Sequence, residues 1–360
     1  SALAHKLLQK DPMDRPQSAE AAMALLADQD APVVERADGS KEIAAALFVP
    51  RFVARADEVD ALEGLASDAA GGRGRVLLVE GPGGVGKTRL VEELRQRAKR
   101  RAHVLVGQSA PEGMQAYGAF QGILDGIATI AARATPDVAQ RVVGRDVALV
   151  SLVSPRLAAL GGPVSTTMLD AAERKLRLHK AMVGVIGRLA LTKPVILVLE
   201  DIHWADSLTL ELIWDAARTL LAARPGGMPG ETVCPMALVL TRRQGGDGPD
   251  PSDALIRRLT PRVALSRRAL TPLSGPDVAE MLRTMTGVGR ARAEVVEALL
   301  EESQGLPLMV QEVISAWVTE GVLERRQGHW RYRGRVLDVS EVEGARRPAP
   351  SPVPSPAPVA

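Results

Sequence analysis

The residues most able to do chemistry in this 360-residue chain are Gly81-Pro82-Gly83-Gly84-Val85-Gly86-Lys87-Thr88. They satisfy G-x-x-x-x-G-K-[ST] in full, the spacing of a loop that cradles phosphates. Glycines let the backbone turn tightly and aim several N–H groups at anionic oxygens. The loop is expected to use Gly81, Gly83, Gly84, Val85 and Gly86 in this way, with Arg89 beside it. The ammonium of Lys87 would neutralise β- and γ-phosphate charge, and the hydroxyl of Thr88 would hold Mg²⁺. A second reading competes. Gly81, Gly83 and Gly86 also spell G-x-G-x-x-G, a dinucleotide fingerprint. That reading needs an acid about 20 residues on to hold a ribose. The following strand ends instead at Val106-Gly107-Gln108, and the Lys-Thr pair has no task there. ATP with Mg²⁺ is therefore the expected ligand.

The other chemical signal is Val195-Ile-Leu-Val-Leu-Glu200-Asp201. Five apolar residues run into two carboxylates. A parallel strand lying beside the first would bring both acids to the magnesium and the γ-phosphate. Glu200 is assigned to magnesium, directly or through water, and Asp201 to the base or water-orienting role; sequence leaves the two roles exchangeable. His203 is balanced between a γ-phosphate contact and a packed loop histidine. Trp204 reads as core, and Asp206 or Ser207 as the cap of the next helix.

The elements that position these groups follow from periodicity. Apolar runs at 76–80, 103–107, 195–199, 236–241 and 262–266 read as buried parallel strands. Helices are expected at 55–70, 87–101 and 207–223, with a mostly helical stretch over 112–190. Alternating strands and helices predict a doubly wound α/β sheet of the P-loop type. After Pro272 the pattern is helical, at roughly 276–286, 291–303 and 308–320. A hairpin follows, 322–326 with 329–333. The reading is a helical lid that runs into a winged-helix-like element.

Composition sets limits. Hydrophobic residues make up 46% and charged residues 24%, and the net charge is +2. Acids are interspersed with arginines, so no strong field points to a membrane or a nucleic acid. No stretch approaches the ~18 apolar residues of a membrane helix. The single cysteine, Cys234, cannot pair within the chain and reads as a small buried residue. A reducing, cytoplasmic setting fits. Met is absent at position 1, and residues 3–10 and 18–27 read as two short helices too small for a core, which is expected of a fragment or a trimmed gene model. From Arg346 onward proline alternates with small residues, an expected solvated tail.

These motifs together resemble the AAA-type ATPase domain of the signal-transduction (STAND) class, which is similar to origin-recognition ATPases. The carriers are GPGGVGKTRLVEEL at 81–94, LEDIHWADSLTLELI at 199–213, LTPLSGPDVAEML at 270–282 and QGLPLMVQEVISAWVTEGVL at 304–323. The resemblance spans about 48–335. It implies an ATP-driven switch with slow hydrolysis and signalling partners. It also implies site residues. Phe52-Val53-Ala54-Arg55 matches the family's opening motif near the adenine, with Ala54 where glycine is usual. Thr241-Arg242-Arg243 supplies a sensor at the γ-phosphate, assigned to Arg243. Pro307 in Gly305-Leu306-Pro307-Leu308 packs on the nucleotide. Residues 4–27, with Lys10-Asp11-Pro12 and Arg15-Pro16, resemble the last segment of a bacterial Ser/Thr kinase, without its glycine loop or catalytic acids. The resulting division is a kinase-like remnant at 1–30, a linker at 31–47, an ATPase core at 48–268, a lid and wing at 269–335, and a tail at 336–360. A kinase–ATPase fusion is implied, whose kinase part is not active alone. A small-molecule phosphotransferase and a DNA-binding, origin-recognition-like ATPase are the alternatives.

Overall fold

Six-residue runs such as Val-Leu-Leu-Val-Glu-Gly suit a strand covered on both faces, and they build the centre of the fold. The computed structural model describes residues 51–111, 116–160, 170–223, 232–244, 250–326 and 329–337. All of them lie within the unit Phe48–Ala360. The kinase-like segment at 4–27, the linker and the proline-rich tail beyond 337 lie outside the described residues.

Five parallel strands form the main sheet: β1 (Val76–Gly81), β2 (His103–Gln108), β3 (Val195–Glu200), β4 (Met236–Arg243) and β5 (Leu265–Ala269). Their spatial order is β2-β3-β4-β1-β5. Every residue of β1 and β3 is buried, as expected of inner strands with helices on both faces. Alternation sorts their side chains into two layers. Leu77, Val79, Ile196, Val198, Ala237 and Val239 pack under α1 (Ala56–Ala70) and α2 (Lys87–Ala98). Val76, Leu78, Val195, Leu197, Leu238 and Leu240 pack against the opposite layer. That layer is built from α3 (Gly118–Arg133), α4 (Pro136–Val143), α5 (Ala171–Ala190), α6 (Ser207–Leu220) and α7 (Ser252–Leu259).

Two expectations change here. β3 does not lie beside β1, because β4 pairs with both and separates them. Strand order is a long-range property that no local pattern carries. β5 begins later than the apolar run at 262–266, and its last four residues are exposed. An edge strand needs little apolar surface, and its Arg267 and Arg268 leave the edge charged.

The sheet is followed by α8 (Gly275–Thr286), α9 (Ala293–Ser303) and α10 (Pro307–Thr319). The Ser274 N–H donates to the Asp277 carboxylate at 3.1 Å, and Pro276 sits in the first turn, which together start α8. Three antiparallel strands then close the described chain: β6 (Leu323–Arg326), β7 (His329–Tyr332) and β8 (Arg335–Val336). The sequence predicted two of them. The third carries the wing past the expected boundary at 335, and Leu337 beyond it is fully buried. The wing is fixed to the helices by Trp330 Nε1–H donating to Thr286 O at 2.9 Å and by the Trp317 and Tyr332 rings at 4.9 Å.

Candidate nucleotide site

β1 ends in the glycine loop, and the loop ends in α2. Gly84 and Gly86 take φ of +74° and +101°, conformations that a side chain would strain. Lys87 is the first residue of α2 and is buried. Its Nζ donates to the carbonyls of Gly81 and Pro82, both at 2.9 Å, folding back over the loop it belongs to. Burial holds the Lys87 ammonium below its usual range, against the opposing pull of Asp201.

Glu200 belongs to the same alternating set as Ile196 and Val198, so it emerges on the α2 side of the sheet. There Thr88 Oγ1–H donates to Glu200 Oε2 at 2.6 Å, linking residues 112 apart in sequence. The reach succeeds across the intervening β4. Burial pushes the Glu200 carboxyl up, and the Thr88 bond only partly offsets this. Asp201 follows in a left-handed conformation, φ +55°, and its N–H donates to Thr241 Oγ1 at 3.0 Å. Thr241 is fully buried on β4. The sequence reading gave it no task of its own; a hydroxyl closing a buried apolar strand was the available signal.

A cavity of about 480 Å³ opens over these groups. Gly83, Gly84, Val85, Gly86, Lys87, Thr88, Arg89, Asp201, Arg243 and Pro307 all line it, so the structure brings most of the assigned residues together. Gly81 and Glu200 lie behind this lining. Arg51, Leu273, Met281 and Gln311 also line it, and no sequence signal marked them. Phe52 and Val53 of the opening motif are present as well. Ala54 occupies the position where glycine is usual, and it takes φ +57°, with Arg55 at +66°. Arg55 holds this turn by donating to Val85 O at 3.3 Å and to Thr271 O at 2.5 Å. On the far wall, Leu308 N–H donates to Gly84 O at 3.2 Å, so the start of α10 rests on the phosphate loop.

The two arginines ending β4 separate. Arg242 pairs with Glu80 at 2.6 Å, Asp253 at 2.6 Å and Asp250 at 3.3 Å, away from the cavity. Arg243 lies over the Trp204 ring, 5.1 Å from its centroid. Trp204 is thus a partly buried platform and belongs to neither apolar layer, contrary to its reading as core. His203 Nδ1 accepts from Arg243 N–H at 3.4 Å, and its Nε2 is buried with no partner among the described residues. Burial pushes the His203 ring below its usual pKa, against the opposing pull of Asp201. Asp206 caps α6 by accepting from Thr209 N–H at 2.9 Å. Cys234 is buried in the core, its thiol pushed up by burial.

The donor set near the loop is all oxygen: Thr88, Glu200 and Asp201. It suits a hard cation that takes one or two protein oxygens and completes its shell with phosphate and water. Among the described residues no group of three His, Cys, Asp or Glu side chains is arranged to hold a metal by itself. Among them, too, no helix is long and apolar enough to cross a membrane.

Residues 51–225 match the family model described as AAA ATPase domain. That stretch is an AAA domain of the P-loop class, a nucleotide-binding fold. An uncharacterized protein of Rhizobium meliloti (strain 1021) is 25% identical over 282 residues, covering 75% of this chain. The chain spans about a quarter of that relative's length (25%). Among solved structures, Aeropyrum pernix ORC1 in complex with DNA gives a TM-score of 0.46 at 18% identity, covering 84% of this chain and 68% of that one. Cdc6p of Pyrobaculum aerophilum gives 0.47 at 12% identity, with coverages of 78% and 65%. AMPPCP-bound DnaA of Aquifex aeolicus gives 0.39 at 12%, with coverages of 75% and 63%.

Proposed function

We propose that this chain binds ATP with magnesium in the cavity beside α2 and works as a slow, nucleotide-dependent signalling switch. The observation that carries the reading is the Thr88–Glu200 hydrogen bond at 2.6 Å. It sets a hydroxyl and a carboxylate side by side where a metal on the β- and γ-phosphates would bind. Magnesium, when bound there, neutralises charge on the transferred phosphate. Lys87 trades its two loop carbonyls for phosphate oxygens. Asp201, held by Thr241, orients the attacking water or takes its proton. Arg243 contacts the γ-phosphate, Arg89 lies along the phosphate chain, and Pro307 packs on the nucleotide. The γ-phosphate supplies the differential contacts that a switch requires. Because α10 rests on Gly84, closure and opening of the helical lid are the natural output.

The partners in this reading are ATP or ADP, a Ser/Thr kinase domain attached or associated, and further signalling proteins in the cytoplasm. A short match inside a much longer relative supports a module of a larger regulator. The test pairs binding with turnover. Lys87→Ala should lose magnesium-dependent nucleotide binding. Asp201→Ala should keep binding and lose phosphate release. Release with no acceptor present separates the switch from a phosphotransferase. Equal protease digestion with ATP, with ADP and with neither sinks the switch.

A second reading rests on one observation. The wing gathers Arg325, Arg326, Arg333 and Arg335 on exposed positions, with Glu324 and Glu294 as nearby acids. The even charge balance of the whole chain hides this local concentration. It favours a nucleic-acid backbone as partner, in the manner of a DNA-binding ATPase. A steep fall of duplex affinity with salt supports it, and no binding at low salt removes it.

A further inference from the structure

Arg242 and Arg243 are adjacent, yet their surroundings are opposite. Arg242 meets three carboxylates. Among the described residues no carboxylate pairs with the Arg243 guanidinium. It lies instead on an indole, 5.1 Å from the Trp204 centroid. Its far side faces the phosphate loop: a Cβ placed on Gly83 would stand 3.3 Å from the guanidinium. The indole is itself braced. The His203 and Trp204 rings lie 4.5 Å apart at 39°, and His203 Nδ1 accepts the Arg243 backbone N–H. A guanidinium on an aromatic face keeps its in-plane N–H donors free for an anion. Holding it there also removes rotamer freedom before the anion arrives.

We infer that Trp204 is a positioning residue, a shelf that holds Arg243 over Gly83 so that the chain tells a nucleoside triphosphate from a diphosphate. Trp204 does not itself line the cavity, so its effect passes through Arg243. The inference rests on the nucleotide reading of the glycine loop. It goes beyond it by assigning a residue type that phosphate chemistry alone does not require.

The experiment compares affinities of the full chain for Mg·ADP and for a non-hydrolysable Mg·ATP analogue, by titration calorimetry. Trp204→Leu should weaken analogue binding by about fivefold to tenfold, the loss expected of one partly desolvated cation–π contact, and leave ADP within about twofold. Arg243→Ala should show the same loss for the analogue. The double variant should be no worse than Arg243→Ala alone, because the two act as one unit. Trp204→Tyr and Trp204→Phe should fall between wild type and leucine, in that order. Losses that multiply in the double variant overturn the shelf, as does an equal loss for both nucleotides. If Trp204→Leu fails to fold by circular dichroism, the Tyr and Phe variants decide: equal triphosphate selectivity in all three aromatic forms overturns the proposal. Lys87→Ala is the separate control. If it binds ADP as wild type does, the site reading itself has failed, whatever Trp204 does.

Discussion

Replacing Glu200 by Gln tests the acidic strand end by its energetics. The side chains have the same shape, and Gln Oε1 can still accept the Thr88 hydroxyl now bonded at 2.6 Å. What changes is a charge on a side chain only 4% exposed. Burial is the largest influence on that carboxyl and raises it above its ordinary 4.5; Lys87 attracts the charge but is the weakest of the four influences. The sign follows from linkage. A carboxyl raised in the fold contributes most favourably at low pH, and that contribution is lost as pH rises through its folded pKa. Gln does not titrate. Wild type and variant should therefore melt together below about pH 4.5 and diverge above it, with the variant the more stable. The net gain is one desolvated charge less what Thr88 and Lys87 return, on the order of 1 kcal/mol. For a domain of this size that is roughly 2–4 °C in Tm. Scanning calorimetry across this pH range, without nucleotide, reads it directly. With ATP present the advantage should reverse, because the variant loses the magnesium-dependent part of ligand stabilisation. A variant that melts lower at neutral pH, or a difference independent of pH, refutes the reasoning.

Three further outcomes follow from the packing. Arg242→Ala strands Glu80 as a buried charge and should destabilise by about 3 kcal/mol in denaturant titration; adding Glu80→Gln should recover much of this. Gly305→Ala puts a Cβ 2.4 Å from Leu273 O at φ +70°, and should loosen the link between α8 and α10 at a cost on the order of 2 kcal/mol. Hydrogen exchange should localise that loosening to the lid. Tyr117→Phe removes the hydroxyl that meets His179 Nε2 at 3.0 Å and should cost about 1 kcal/mol in the same titration; burial pushes that hydroxyl up to about 12, so it stays protonated through neutral pH.

The glycine loop and the inner strands β1 and β3 were legible because their signals are local: an octet of fixed spacing and runs that must be buried on both faces. β5 was misplaced because an edge strand with exposed Arg267 and Arg268 needs no apolar run. The insertion of β4 between β1 and β3 was invisible for a different reason. Order in a sheet is decided by which faces pack, and neighbouring residues do not record it. Trp204 was misread because an indole among leucines and an indole under a guanidinium look alike until a residue 39 positions away is placed on it.

The choice between Arg242 and Arg243 shows how the local rule becomes decisive once one global fact is supplied. Along β4, Ala237 and Val239 lie in the layer under α1 and α2, while Leu238 and Leu240 lie in the other. Extending that alternation puts Thr241 and Arg243 on the α2 side and Arg242 on the α7 side. β1 obeys the same rule. Val79 lies in the α2 layer and Leu78 in the other, so Glu80 falls on the α7 side, in register with Arg242. Charge follows geometry: Arg242 finds Glu80 and Asp253 there, and Arg243 is left for the phosphate loop. The same count carries Ile196, Val198 and Glu200 to the α2 face, where Thr88 waits. One period-two pattern, anchored by knowing which face α2 covers, therefore sorts five charged or polar residues into one ion-pair network and one nucleotide site.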